Sequence, residues 1–249
     1  MRALAAPLDA LPQPLQALVW TLLSIFAFTA MGAIIKHVAS AMPIFVFLFL
    51  RMTMTLVPFI PWIIRHGRAG MRTRRLRDHL IRGAVSTGGL LFWIYALTLL
   101  TLADVTAISF SKVLWVLVLA VLFLGERVGL RRGIATLIGF AGVLIMVRPG
   151  ADFEPAMLLA VTGSMTAAVA MILVKRLSQT EPTARIVVYY ALTGMAYSAI
   201  PAALTWEMPT LVEVAWIVGA GGCAAMGQFC MARALSIGDG SEVKRWSGC

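Results

Sequence analysis

Two related stretches of sequence decide the fold: GLLFWIYALTLLTLADVTAI at residues 89–108 and AAMGQFCMARALSIGDGSEV at residues 224–243. Counted from their first residues, they are offset by 135 positions, which aligns LADVT at 102–106 with IGDGS at 237–241. An apolar run over residues 107–125 follows the first copy, whereas KRWSGC at 244–249 follows the second. The pattern predicts a duplicated membrane protein whose second copy lacks its last helices.

The composition predicts a polytopic α-helical membrane protein. Hydrophobic residues make up 60% of the chain, charged residues 13%, and the mean hydropathy is +0.89. Nonpolar runs of about 20 residues recur, long enough to cross the roughly 30 Å core of a lipid bilayer. The net charge of +10 could indicate nucleic-acid binding, but the positive residues fall in short loops, so we expect no nucleic-acid partner.

The apolar runs predict eight membrane spans. Their approximate bounds are 16–35, 43–64, 80–100, 104–124, 130–147, 155–174, 184–205 and 211–234.

Positive charge alternates from one side of these spans to the other. Three loops are rich in it, with Arg65, Arg68, Arg72, Arg74, Arg75 and Arg77 in the first, Arg127, Arg131 and Arg132 in the second, and Lys175, Arg176 and Arg185 in the third. The intervening loops carry only Lys36 and Arg148. The excess of positive charge predicts that the rich side, with the N-terminus, is cytoplasmic.

Five predicted spans precede Pro149 and three follow it. Since five is odd, a tandem copy of a five-helix unit enters the membrane in the opposite orientation. Inverted repeats of this kind are a transporter architecture, with the substrate site near the midplane where the repeats meet. We therefore expect a first repeat over 16–148, an incomplete second repeat over 155–243 and an aberrant tail over 244–249.

Three motifs resemble a known family. ADVTAISF at 103–110, VLVLAVLFLGER at 116–127 and GFAGVL at 139–144, before an Arg-Pro-Gly turn, are similar to the EamA-type drug/metabolite transporters. The resemblance spans about residues 16–243. It implies a carrier in the bacterial inner membrane, with ten helices in two inverted halves, that moves small organic metabolites by alternating access. Related members include exporters of amino acids and other metabolites and carriers of S-adenosylmethionine.

The chain departs from that family at two places. Members usually have a proline just after the position of Lys112, where this chain has Val113, which puts a kink in the fourth span in question. Members also continue into an apolar ninth helix, which the sequence at 244–249 cannot start.

Two cations lie within predicted spans and are candidates for substrate binding, Arg51 and Lys112. Each is eight residues from the predicted outer end of its span, at Pro43 and Asp104 respectively, which places both roughly 12 Å deep. A charge inside the membrane is costly and by default marks a functional site. The alternative is that one of the two cations bonds freed carbonyl groups or pairs with Asp104.

No acidic residue lies in the middle of a predicted span. Carriers of lipophilic cations need a membrane carboxylate, so its absence favours neutral, zwitterionic or anionic substrates.

Further polar and aromatic side chains lie at matching depths in the two halves. Trp93 and Tyr95 are well inside the third span, and the offset places Gln228 opposite Trp93 and Tyr190 near the counterpart of Arg51. Ser109 shares a helix face with Lys112. All five are candidate substrate-binding residues, although aromatic rings also commonly fill helix interfaces. Glu126, at the end of the fourth span beside Arg127, is a candidate gate ion pair or a structural clasp.

The sequence contains no metal-ligand cluster, nucleophile–base pair, Walker loop or dinucleotide fingerprint, so we expect neither an enzyme nor a bound cofactor. The leading hypothesis is a carrier of small organic metabolites in truncated form. The alternatives are a protein that inserts without transporting, and a homodimer in which another chain supplies the missing helices.

Overall fold

The computed structural model describes residues 12–38, 41–124, 129–147 and 154–246, and every regular element in them is helical. Side chains are described for most of these residues, but not for those after 237. The α-helices are α1 (Gln13–Val38), α2 (Ile44–Leu56), α3 (Ile60–Met71), α4 (Leu76–Leu99), α5 (Leu102–Ser109), α6 (Lys112–Leu124), α7 (Leu130–Val147), α8 (Ala156–Ser178), α9 (Thr183–Leu204) and α10 (Leu211–Trp246), and a 3₁₀ turn (Val57–Phe59) joins α2 to α3.

Seven helical segments of the described chain are long and apolar enough to cross a membrane. They are Gln13–Val38, Ile44–Met71, Leu76–Leu99, Leu102–Leu119, Ala156–Ser178, Thr183–Leu204 and Leu211–Ile237. The predicted fifth span coincides with α7, whose apolar part, Gly133–Gly142, is shorter. Large apolar side chains such as Phe26, Ile145 and Leu204 face outward, as lipid contact requires. The all-helical membrane fold is therefore confirmed.

Three helix pairs form the centre of the bundle: α1 with α10, α4 with α8, and α2 with α9. Small residues allow these helices to approach closely. A Cβ atom at Gly163 of α8 would lie 3.3 Å from the carbonyl oxygen of Gly89 in α4, and a Cβ atom at Gly221 of α10 would lie 2.4 Å from Met54 Cβ in α2. The main core cluster, which includes Ile35, Leu97 and Ala224, joins α1, α2, α4, α5, α8 and α10.

The fourth predicted span, over 104–124, coincides with a spanning segment whose helix is interrupted at Phe110 and Ser111. The N–H of Ser111 donates to Ile108 O at 2.9 Å and that of Val113 to Phe110 O at 3.1 Å, so these bonds link residues three apart instead of four. The Ser111 and Ser164 hydroxyl groups, 2.7 Å apart, tie the interruption to α8. The break therefore exists without the proline that related proteins usually have.

Two further helices extend past their predicted ends. The second span continues through the 3₁₀ turn and α3 to Met71, with a kink at Gly67, and α10 continues to Trp246 instead of ending near residue 234. Pro58 and Pro61 lie in the first turns of their elements, where the missing N–H costs little.

Candidate functional site

A cavity of about 260 Å³ lies inside the bundle. Residues from α1, α2, α4, α5, α6, α8, α9 and α10 line it, so both halves of the sequence contribute. Its polar lining residues are Arg51, Arg82, Ser86, Ser109, Lys112, Ser164, Tyr190 and Gln228. The remaining lining residues are glycine, alanine, apolar or aromatic. A cavity with mostly apolar walls and a few convergent polar groups is typical of a small-molecule site.

Arg51, on α2, reaches the cavity from a buried position and is only 1% exposed. Its Nη2 donates to Tyr190 Oη at 3.1 Å, and the guanidinium also contacts the sulfur atoms of Met31 and Met52. Its Nε has no hydrogen-bond partner among the described residues. Arg51 thus lines the cavity and reaches a polar neighbour in the second half of the chain.

Arg82, on α4, is a second buried cation in the cavity lining, and it lies over the ring of Tyr190. It is 2% exposed, and its Cζ is 4.9 Å from the centroid of the Tyr190 ring. Its guanidinium donates to Ile186 O at 2.9 Å and to Gln228 Oε1 at 2.7 Å. The Tyr190 ring, its hydroxyl and its electron-rich face therefore connect the two arginines.

Lys112 begins α6 directly after the helix break and lines the cavity. Beside it in the wall, Trp93 Nε1 donates to Ser109 Oγ at 3.1 Å, and that hydroxyl donates to Val105 O. The alternative of a Lys112–Asp104 pair is wrong, because Asp104 lies in the exposed first turn of α5, where its carboxylate accepts from Thr101 Oγ1 at 2.6 Å. Lys112 has no ion pair or hydrogen bond with the described part of the chain.

Six of the seven predicted binding residues line this cavity: Arg51, Trp93, Ser109, Lys112, Tyr190 and Gln228. The seventh, Tyr95, is 45% exposed and is not among the lining residues. Two residues apart on a helix are about 200° apart around its axis, so Trp93 and Tyr95 point away from each other. Glu126, the gate candidate, lies outside the described residues.

The prediction of only two intraspan cations missed Arg82. Its position at the start of the third span suggested one more charge of the arginine-rich loop, able to extend to the membrane surface. The signal available in the sequence was that residue 82 falls inside the span predicted at 80–100. Its partners, Tyr190 and Gln228, are more than 100 residues away, so only the fold shows where its side chain lies.

A second group of charges lies where α3 and α4 meet the connection between α8 and α9. Glu181 accepts a hydrogen bond from Thr73 Oγ1 at 2.6 Å and forms an ion pair with Arg185. Arg185 also donates to the carbonyl oxygens of Gly70 and Ala69. We call Thr73, Glu181 and Arg185 the clasp.

The Glu181 carboxyl lies outside the membrane-spanning segments. Burial raises its pKa, but the hydrogen bonds from Thr73 and Arg185 and the charge of Arg185 lower it more, so this pKa lies below its ordinary value. Glu181 is therefore held as a carboxylate, and the clasp is a charge-compensated link between the two halves.

The chemistry that the cavity offers is binding. Its lining, as far as the structure describes it, contains three cationic side chains and no aspartate or glutamate. The described residues also contain no group of three or more His, Cys, Asp or Glu side chains able to hold a metal ion. Buried guanidinium and ammonium groups with free N–H donors are ligands for carboxylate or phosphate oxygens.

Comparisons with known proteins identify the family of this chain. The EamA-like transporter family matches residues 15–148. The S-adenosylmethionine uptake transporter of Rickettsia bellii is 30% identical over 225 residues, which cover 90% of this chain and 77% of that protein. The riboflavin transporter of Vibrio cholerae is 29% identical over 238 residues, covering 93% and 80%.

A solved crystal structure shares the fold. It superposes with a TM-score of 0.65 at 21% sequence identity and covers 88% of this chain and 79% of the other. The helices, the central cavity and these relatives lead to one conclusion: the chain belongs to the EamA-like transporter family, and it is a membrane transporter of small metabolites, not an enzyme.

Proposed function

We propose that this protein moves a small organic metabolite across the bacterial inner membrane by alternating access, with the substrate held in the central cavity. The observation that carries the proposal is the set of cations around the cavity, the buried Arg51 and Arg82 and the half-buried Lys112, with no carboxylate in the described lining. A carrier of cations needs a carboxylate within the membrane to bind them. The substrate is therefore neutral, zwitterionic or anionic, and Lys112 and the arginines bind a carboxylate or phosphate group where it has one.

The arrangement of the helices supports an inverted repeat. The offset of 135 residues relates α1 to α8, α2 to α9 and α4 to α10. This relation converts the α1–α10 pair into the α8–α4 pair and leaves the α2–α9 pair unchanged. These are the three helix pairs at the centre of the bundle. Rocking of one repeat against the other around the shared cavity is the motion expected of such a carrier.

We further propose that the arginine-rich loops and the N-terminus are cytoplasmic, on the distribution of positive charge. A reporter active only in the periplasm, fused after Met208 in the loop between α9 and α10, should be active. The same reporter fused after Thr180 should be silent, and the opposite result would reverse the orientation.

Transport is tested by uptake into liposomes that contain the purified chain. S-adenosylmethionine, S-adenosylhomocysteine and riboflavin are the first radiolabelled compounds to use, since two relatives carry the names of such metabolites. We expect saturable uptake of at least one compound. Ala167→Trp, which fills the cavity, should abolish it, whereas Thr162→Trp, on the exposed face of the same helix, should not.

An inserted but inactive protein is the competing outcome. Absence of saturable uptake, or equal uptake by the Ala167→Trp and wild-type proteins, would contradict transport through this cavity.

A further inference from the structure

The cavity cations retain donor groups that the described protein does not use. A guanidinium has five N–H donors and an ammonium has three. Arg82 donates to two oxygen atoms and Arg51 to one, and the Nε atoms of both are buried without a partner among the described residues. Lys112 makes no hydrogen bond to the described chain. The unused donors of these cavity-lining side chains are available to the oxygen atoms of a ligand.

The charges of the lining are also uncompensated. Three cationic side chains face one cavity of about 260 Å³, and the described lining contains no carboxylate. Removing a charge from water costs several kcal/mol unless an opposite charge accompanies it. A net anion entering the cavity reduces this cost for all three cations, whereas a net cation increases it.

The cations lie at two levels of an elongated cavity. Arg82 and Trp93, which both line it, are eleven residues apart on α4, a rise of roughly 16 Å. Gly163 and Val174 line it with the same separation on α8, and Gly163 lies against Trp93. Lys112 is three residues after Ser109, whose hydroxyl accepts from Trp93 Nε1, and so belongs to the Trp93 level. The sequence predicts the same depth for Arg51, but the Arg51 guanidinium is hydrogen-bonded to Tyr190, whose ring packs against Arg82, so its charge belongs to the level toward Arg82.

We propose that the cavity selects an elongated organic anion, with one anionic group at the Arg51–Arg82 pair and another at Lys112. The inference rests on the proposed function and narrows its substrate class. Zwitterions and neutral compounds bind more weakly, and a net cation, which S-adenosylmethionine is through its sulfonium and ammonium groups, binds most weakly. The apolar and aromatic residues of the lining contact the uncharged part of the ligand.

A charge-selective reaction inside the cavity tests the proposal without a known substrate. Ser86 lines the cavity one turn after Arg82. In a chain with Cys223, Cys230 and Cys249 replaced by Ala, Ser86→Cys provides a single thiol. Its rates of reaction are measured with two reagents of similar size, the anionic sulfonatoethyl and the cationic trimethylammonioethyl methanethiosulfonate. The ratio of the two rates is divided by the same ratio for free cysteine in solution.

We expect the normalised ratio to favour the anionic reagent by about tenfold, because a cleft lined by one sign of charge concentrates the opposite sign. Lys112→Gln added to Ser86→Cys should reduce the preference, and the further addition of Arg82→Gln should abolish it. Lys112 has no described partner to lose, so its replacement is the variant least able to disturb folding.

A normalised ratio near one, a ratio unchanged by both replacements, or a thiol that reacts with neither reagent would overturn the proposal. The reaction requires no transport. Failure of anion selectivity is therefore distinguishable from failure of the proposed function, which shows itself as absence of uptake into liposomes.

Discussion

The clasp and the cavity differ in whether their cationic side chains have a carboxylate partner. In the clasp, Arg185 has a carboxylate partner, Glu181, and two backbone carbonyls, so its charge is compensated within the protein. In the cavity, Arg51, Arg82 and Lys112 line a space whose described lining has no carboxylate. A charge with its own counter-ion stabilises a structure, whereas a buried charge without one is available to a ligand. From this difference we infer that the clasp stabilises the fold and that the cavity binds the substrate.

The largest effect should follow from removing the cavity charge. Arg82→Gln should lower the kcat/KM of uptake on the order of a hundredfold, because hydrogen bonds to charged groups contribute roughly 1.5–3 kcal/mol. Arg185→Gln, the same substitution in the clasp, should lower the melting temperature and leave the KM nearly unchanged. Uptake kinetics and thermal unfolding of both variants provide the measurement. Equal effects on KM would remove the distinction between the two regions.

The next effect should follow from displacing Arg51 without changing a charge. A Cβ atom at Gly221 would lie 2.4 Å from Met54 Cβ and 3.1 Å from Arg51 O, so Gly221→Ala must push α10 away from α2. Overpacking of this kind costs roughly 1–3 kcal/mol. We expect a lower melting temperature and a raised KM.

Gly222→Ala is the matched control, because nothing lies within 4 Å of its added Cβ atom. If the two alanine variants behave alike, the close contact between α10 and α2 is not what positions Arg51.

A smaller effect should follow from removing the carboxylate of the clasp. Glu181→Gln should destabilise the protein by roughly 1 kcal/mol near neutral pH, since it replaces a charged partner by a neutral one. The folded-state pKa of Glu181 is depressed, so its stabilisation is present above the ordinary carboxyl pKa and is lost as the pH falls through the folded-state value. Wild-type and variant melting temperatures should therefore converge in acid.

The control for that experiment is Glu207→Gln, which changes an exposed carboxylate. It should leave the melting curve unchanged at every pH. If the melting temperatures of the wild-type and Glu181→Gln proteins differ by the same amount at every pH, protonation of Glu181 does not weaken the clasp.

The smallest effect should follow from restoring the proline that related proteins carry. Val113 lies in the first turn of α6, just after the existing break, where a proline is tolerated. Val113→Pro should change uptake by no more than about twofold. Val118→Pro, in the interior of the same helix, should abolish folding or uptake. A severe loss in Val113→Pro would mean that the N–H of Val113, which donates to Phe110 O, is required.

Much of this fold could be predicted from the sequence, because lipid imposes one requirement on every span. The backbone N–H and C=O groups of an apolar span must form hydrogen bonds within the protein, and in an α-helix they bond to each other. The offset of 135 residues also identified Gln228 as the counterpart of Trp93 and placed Tyr190 near the counterpart of Arg51, and all four line the cavity.

The remainder depended on side-chain direction and on contacts between distant residues. Tyr95 lies outside the cavity because helical rotation turns it away from the Trp93 face. The break at Phe110–Ser111 has neither proline nor glycine to predict it. Arg82 could not be distinguished from the loop arginines until α9 and α10 were placed beside it.

Equilibrium binding to the protein in lipid nanodiscs tests the central claim most directly, with two ligand pairs that differ mainly in charge. S-adenosylhomocysteine lacks the sulfonium of S-adenosylmethionine, and flavin mononucleotide adds a phosphate to riboflavin. We expect the more negative member of each pair to bind more tightly, by about tenfold or roughly 1.4 kcal/mol, and Lys112→Gln to reduce this difference in affinity. Tighter binding of S-adenosylmethionine and riboflavin, or no binding of any of the four, would contradict it.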